Sequence, residues 1–105
     1  MNKKLLKNKK IVIIGGAGFI GHNLGLELKK LKSRITIIDN LKINNLYSLN
    51  EKKSKFPFPK LTKKIITERL DLLKKNQIKV YKTDARDNKK LHLVLAKIKP
   101  QIIIH

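Results

Sequence analysis

The apolar positions of this chain switch repeatedly between two periods. "IVII" (Ile11–Ile14) is an unbroken β-branched run, the pattern of a strand buried on both faces of a parallel sheet. From Gly18 onward, Phe19, Ile20, Leu24, Leu28 and Leu31 recur at helical spacing, and Lys29, Lys30 and Lys32 crowd the end of that helix, where cations complement its dipole. "RITIID" (Arg34–Asp39) is a second β-branched strand ending in a carboxylate. Leu41–Lys60 reads as irregular, broken by "NN" and "FPFP". "LTKKIITERLDLLKK" (Leu61–Lys75) returns to helical period through Ile65, Ile66, Leu70 and Leu73, with Thr62 as its candidate N-cap.

"IKVYKTD" (Ile78–Asp84) alternates as a third strand. Asp87 then stands where an N-cap belongs, ahead of Leu91, Val94, Leu95 and Ile98. "KP" stops that helix, and "QIIIH" (Gln101–His105) is a fourth strand. Strands alternating with helices predict an α/β fold, a partial Rossmann: a doubly wound parallel sheet of about four strands with right-handed crossovers. Residues 1–10 read as a basic, frayed leader, and 11–105 as the domain.

Composition changes the picture little until charge is counted. At 105 residues, 41% hydrophobic and 31% charged, the chain is one globular domain. The absence of cysteine excludes disulfides and thiolate metal sites. A net charge of +19 raises a nucleic-acid or anionic-surface partner. Against that, the cations are mostly lysines in KK pairs throughout the chain, arginine is scarce and aromatics are only 5%, so compositional bias explains the charge better than a base-stacking surface. A basic start followed by "IVII" mimics a secretory signal, but the apolar run is short and no small-residue cleavage site follows. No run approaches the ~18 apolar residues of a membrane span. A soluble, cytoplasmic protein is the expectation.

The candidate chemistry lies in "IVIIGGAGFIGHNL". Gly15, Gly18 and Gly21 form G-x-x-G-x-x-G directly after a buried strand and at the start of a helix. The first glycine permits the tight turn, the second lets backbone N–H groups approach a pyrophosphate, and the third lets the helix pack closely. The helix N-terminus then offers free amides and partial positive charge to an anion. A Walker-type G-x-x-x-x-G-K-[ST] loop is absent. Asp39 lies about 20 residues on, where a carboxylate accepts from ribose hydroxyls; it would repel a 2′-phosphate, which favours NAD over NADP. A turn-forming role for Asp39 is the alternative. Asp84, at the end of the third strand, can reach an adenine amino group or simply form a turn before the next helix.

These residues resemble the extended short-chain dehydrogenase/reductase family, the NAD-dependent nucleotide-sugar epimerases and dehydratases. "GGAGFIGHNL" is similar to the family's glycine fingerprint, "IIDNL" to its second-strand D-N-L, "TDARD" to the segment after its third strand, and "KPQIIIH" to its fourth strand. The resemblance implies that Gly15, Gly18, Phe19, Ile20 and Gly21 surround the pyrophosphate. It further implies that Asp39, Asn40 and Leu41 hold the adenosine ribose, and that Asp84 and Ala85 bracket the adenine.

The segment Lys42–Lys60 is longer than the family's usual link, and Gln101 replaces a common acidic residue. The family's Y-x-x-x-K pair is missing, because Glu51 stands four residues past Tyr47 and Ala85 four past Tyr81. His22, His92 and His105 form no recognisable catalytic or metal-ligating set. The resemblance therefore implies the NAD-binding N-terminal part of an epimerase or dehydratase, without its catalytic and substrate half. A sugar nucleotide would be a partner only of a complete enzyme, and a second polypeptide could complete the sheet. A non-catalytic basic binding module and a non-functional truncated remnant stay open as alternatives.

Overall fold

The computed structural model describes residues 3–42 and 57–105. The expected helix-breaking "NN" pair and most of the irregular link lie outside the described residues, as does Tyr47. The elements are β1 (Lys10–Ile14), α1 (Phe19–Lys30), β2 (Arg34–Asp39), α2 (Pro59–Lys75), β3 (Lys79–Lys82), α3 (Asn88–Ile98) and β4 (Ile102–Ile104), preceded by a 3-10 turn at Lys3–Leu5. Four strands form one all-parallel sheet in the order β3-β2-β1-β4. This is the partial Rossmann sheet expected from the sequence.

The register explains why the β-branched runs are needed. Ile11 and Ile13 pair with Ile35 and Ile37, so all four project from one face. That face packs with Leu73, Ile78, Ala17 and Leu41 into the core, flanked by Leu24, Leu28 and Leu70. Burying each such isoleucine contributes about 1.5–3 kcal/mol relative to leaving it exposed. Val12 and Ile38, on the opposite pleat, are also fully buried. Both faces are therefore covered. Right-handed crossovers put α1 and α2 on one side, and the reversal from β3 to β4 carries α3 to the other.

Each helix start and stop has a local cause. Gly18 is the N-cap of α1 and adds no side chain to its terminus. Helix α2 begins at Pro59, not Leu61; Phe58 is its N-cap and Thr62 lies inside the first turn, donating its backbone N–H to the Phe58 carbonyl at 2.9 Å. The proline read from sequence as a breaker instead opens the helix, where its missing N–H costs nothing. Asp87 caps α3 as expected, its carboxylate accepting from the Lys90 amide at 3.2 Å.

The three helices end through left-handed residues that are not glycine: Lys32, Gln77 and Lys99, with φ of 65°, 58° and 53°. At Gln77 the two closing bonds are Gln77 N–H to Lys74 O at 3.0 Å and Ile78 N–H to Leu73 O at 3.0 Å. The buried Leu73 and Ile78 add the apolar contact of a Schellman motif.

Residues 4–9 are not frayed. The Asn8 amide donates to Lys32 O at 2.9 Å, Ser33 Oγ donates to Leu6 O at 2.8 Å, and Leu6 packs against the core. Leu6, set among lysines that hide it in the sequence pattern, is the anchor. Strand β3 is shorter than expected, because Thr83 and Asp84 turn towards α3.

A candidate dinucleotide cleft at the strand ends

The carboxyl ends of the strands open into a cleft of about 450 Å³. It lies where the strand order reverses, between β1 and its neighbours, which in open α/β sheets is the ligand-binding position. Gly15, Gly18, Phe19, Asp39, Asn40, Asp84 and Ala85 line it, together with Ile14, Ile38, Thr83, Arg69 and His105.

The glycines divide their work. Gly15 has a φ of +77°, a left-handed conformation that turns the chain out of β1, and its amide donates to Ile38 O at 2.7 Å. Gly18 faces open space: a Cβ there would meet only Gly15 O, at 3.5 Å. A side chain at Gly18 would thus fill the cradle without disturbing the fold. Gly21 is the reverse, since its Cβ would fall 2.5 Å from Gly16 Cα and 2.9 Å from Gly15 O. The third glycine therefore brings α1 against the turn's own backbone rather than against the sheet. Close approach to the sheet belongs to Gly16 and Gly25. A Cβ on Gly16 would meet Ile37 Cγ1 at 2.8 Å, and one on Gly25 would touch Ile13, Ile35 and Ile37 at ordinary contact distance.

The first intrahelical bond of α1 runs from His22 N–H to Gly18 O at 3.0 Å, and no side chain caps the helix. The amides of Phe19, Ile20 and Gly21 precede that first donor, at the positive end of the helix. His22 is occupied locally, with Nδ1 2.9 Å from Gly18 O.

Asp39 does two things at once. One carboxylate oxygen accepts from the Leu41 amide at 2.8 Å, which is the turn role, and the other accepts from the Ala17 amide at 3.1 Å, which clamps the glycine turn. Each oxygen retains a second lone-pair direction for a ligand hydroxyl. Leu41 is not in the cleft: it is 8% exposed, belongs to the core, and holds a φ of 60°. Ile20 and Gly21 are likewise outside the lining, and Ile20 is 80% exposed.

Asp84 forms the turn considered from sequence, its Oδ1 accepting from Arg86 N at 2.9 Å, and still faces the cleft. Its bonds to Arg86, and secondarily to Asn40, hold its carboxyl far below the ordinary carboxylate range. Thr83 N–H donates to Asp39 O at 3.1 Å and joins the ends of β2 and β3.

Sequence reading missed Arg69. From α2, 52 residues along the chain, its Nη1 donates to Ala17 O at 3.1 Å. Burial lowers its guanidinium from the ordinary arginine value, and the Asp39 charge opposes that shift. Its Nε is buried without a partner among the described residues. Nothing in the helical period of "ITERLDLLKK" separates Arg69 from the neighbouring surface charges. His105, read as a strand-end residue, also lines the cleft. Tyr81 sits beneath the Lys79 ammonium, 4.5 Å from its ring centre.

Among the described residues no cluster of side chains could hold a metal ion, and no helix is long and apolar enough to cross a membrane. An uncapped helix start, a glycine whose side-chain position is open, and carboxylates at the end of β2 and just beyond β3 suit a dinucleotide.

Comparison with known proteins agrees. The chain is 41% identical over 49 residues to UDP-arabinose 4-epimerase 1 of Arabidopsis thaliana, covering 47% of this chain and 12% of that protein. It is 39% identical over 49 residues to a probable UDP-arabinose 4-epimerase 3 of Oryza sativa subsp. japonica, with the same coverage. The matched stretch thus spans about 12% of the length of these relatives. The sequence profile of the NAD dependent epimerase/dehydratase family matches residues 11–105, nearly the whole sheet-forming chain, and the protein belongs to that family.

Proposed function

We propose that this chain binds NAD(H) as the dinucleotide-binding region of a nucleotide-sugar epimerase or dehydratase. The observation that carries the reading is the convergence of the glycine turn, Asp39 and Asp84 on one cleft at the strand ends. The pyrophosphate lies at the start of α1, over Gly15 and Gly18, where the helix amides and the open Gly18 position receive it. Asp39 accepts from the adenosine ribose hydroxyls while its amide bonds keep the glycine turn in place. Asp84 and Ala85 flank the adenine. Phe19, 72% exposed at the helix start and lining the cleft, forms the apolar lip of the site.

The bound nicotinamide supplies the taking and returning of a hydride. The chain's own residues bind and orient the dinucleotide. No tyrosine in the sequence is followed four residues later by lysine, so proton transfer to and from the sugar belongs to residues other than these. The two sheet edges support this division. Edge strand β3 presents exposed Lys79 and Lys82, which discourage further pairing. Edge strand β4 is "III", with Ile103 51% exposed and no charge to guard it. Further strands, from continuing polypeptide or a second chain, fit that edge. The UDP-arabinose 4-epimerase relatives favour a sugar nucleotide as the substrate of the completed enzyme.

Parallel equilibrium titrations with NAD and with a duplex oligonucleotide separate the readings. Binding of NAD supports this one. Oligonucleotide binding that falls steeply with salt, with no NAD binding, supports the basic-module alternative suggested by the +19 charge.

A further inference from the structure

The carboxylate that favours an unphosphorylated ribose does not act alone. Arg69 lines the same cleft as Asp39 and Asn40, and among the described residues it is the only lysine or arginine that does so. Its Nη1 is fixed on Ala17 O, while the Ala17 amide is fixed on Asp39 Oδ2, so the backbone of one residue, Ala17, orients both charges. The two groups do not close into a direct ion pair, yet the guanidinium lies within the field of the Asp39 charge. Asp39 is thus anchored by backbone amides, and the guanidinium keeps Nε without a partner among the described residues. Arginine is the side chain suited to a phosphate at this end of a dinucleotide, through its planar fork of donors. Its counterpart here comes from α2 rather than from the strand end, which is why sequence spacing conceals it.

We propose that Arg69 is a specificity-determining residue of the cleft: its guanidinium offsets the Asp39 carboxylate, so that a dinucleotide carrying a 2′-phosphate is accepted only modestly less well than one without. The inference rests on the dinucleotide reading and sharpens it. Asp39 sets a preference for NAD, and Arg69 limits how large that preference becomes.

The test is titration of the full chain, wild type, Arg69→Met and Arg69→Lys, with NAD and with NADP. The wild type is expected to prefer NAD by no more than about tenfold, and Arg69→Met to widen the ratio by about another tenfold, the scale of removing one charge beside a partly exposed anion. Arg69→Lys, which keeps the charge, is expected to stay near the wild-type ratio. A purely structural role would weaken both ligands equally and leave the ratio unmoved, which overturns the proposal. So does a wild type that already rejects NADP much more strongly than tenfold. If circular dichroism shows Arg69→Met unfolded, the wild-type ratio and Arg69→Lys decide by these same criteria. Binding of neither dinucleotide to the wild type removes the underlying reading and this inference with it, whereas NAD binding with an unchanged ratio removes the inference alone.

Discussion

Glycines that look equivalent in G-x-x-G-x-x-G have separable duties at the residue scale. Gly18 borders open space, whereas Gly21 borders peptide backbone that cannot move aside. Gly18→Ala is expected to leave stability within about 1 kcal/mol of wild type while weakening dinucleotide binding. Gly21→Ala is expected to destabilise by about 3 kcal/mol, the upper end of overpacking costs, because the clash is with backbone. Thermal melts of the two variants, each with and without NAD, check the contrast; equal stability losses would refute it. The turn at Gly15 and the turn role weighed for Asp39 were legible because both arise locally, where a buried strand ends. Gly16 and Arg69 were not legible. Gly16 matters through Ile37, a residue of the neighbouring strand, and Arg69 through a carbonyl 52 positions away. Such contacts exist only after the sheet has formed.

Element boundaries show the same division between local and tertiary causes. Asp87 was readable as an N-cap because the cap is a local bond, and Asp87→Ala is expected to cost about 1 kcal/mol in chemical denaturation. A cost near zero would mean that water replaces the cap without loss. Helix ends were less readable, since no glycine marks them. Lys32, Gln77 and Lys99 each adopt a left-handed conformation that disfavours a side chain. Their placement follows from the short turns that must return each helix to the next strand. Gln77→Gly is therefore expected to stabilise by up to about 1 kcal/mol, read as a raised denaturation midpoint. Loss of stability instead would show that the Gln77 side chain contributes contacts that outweigh the backbone strain. Pro59 was misjudged for a related reason: proline ends a helix from within but begins one from its first position.

At the scale of the whole molecule, the described residues form four parallel strands with both faces covered and two unequal edges. Strand β4 is three residues long and pairs only with β1 among the described residues, so its isoleucines are only half protected. The isolated chain is expected to be marginally stable, melting at low temperature or associating through β4. Reversible, cooperative melting of an unliganded monomer at ordinary mesophilic temperatures would contradict that expectation. The order of elements was legible because hydrophobic period alternates cleanly from "IVII" to "QIIIH", while the docking of residues 4–9 depended on one leucine among lysines. The most direct test of the central claim is calorimetric titration of the full chain with NAD, alongside Gly18→Val. The account predicts saturable one-to-one binding by the wild type and its loss in the variant, with both proteins folded by circular dichroism. Absence of NAD binding by the folded wild type, or equal binding by Gly18→Val, would contradict it.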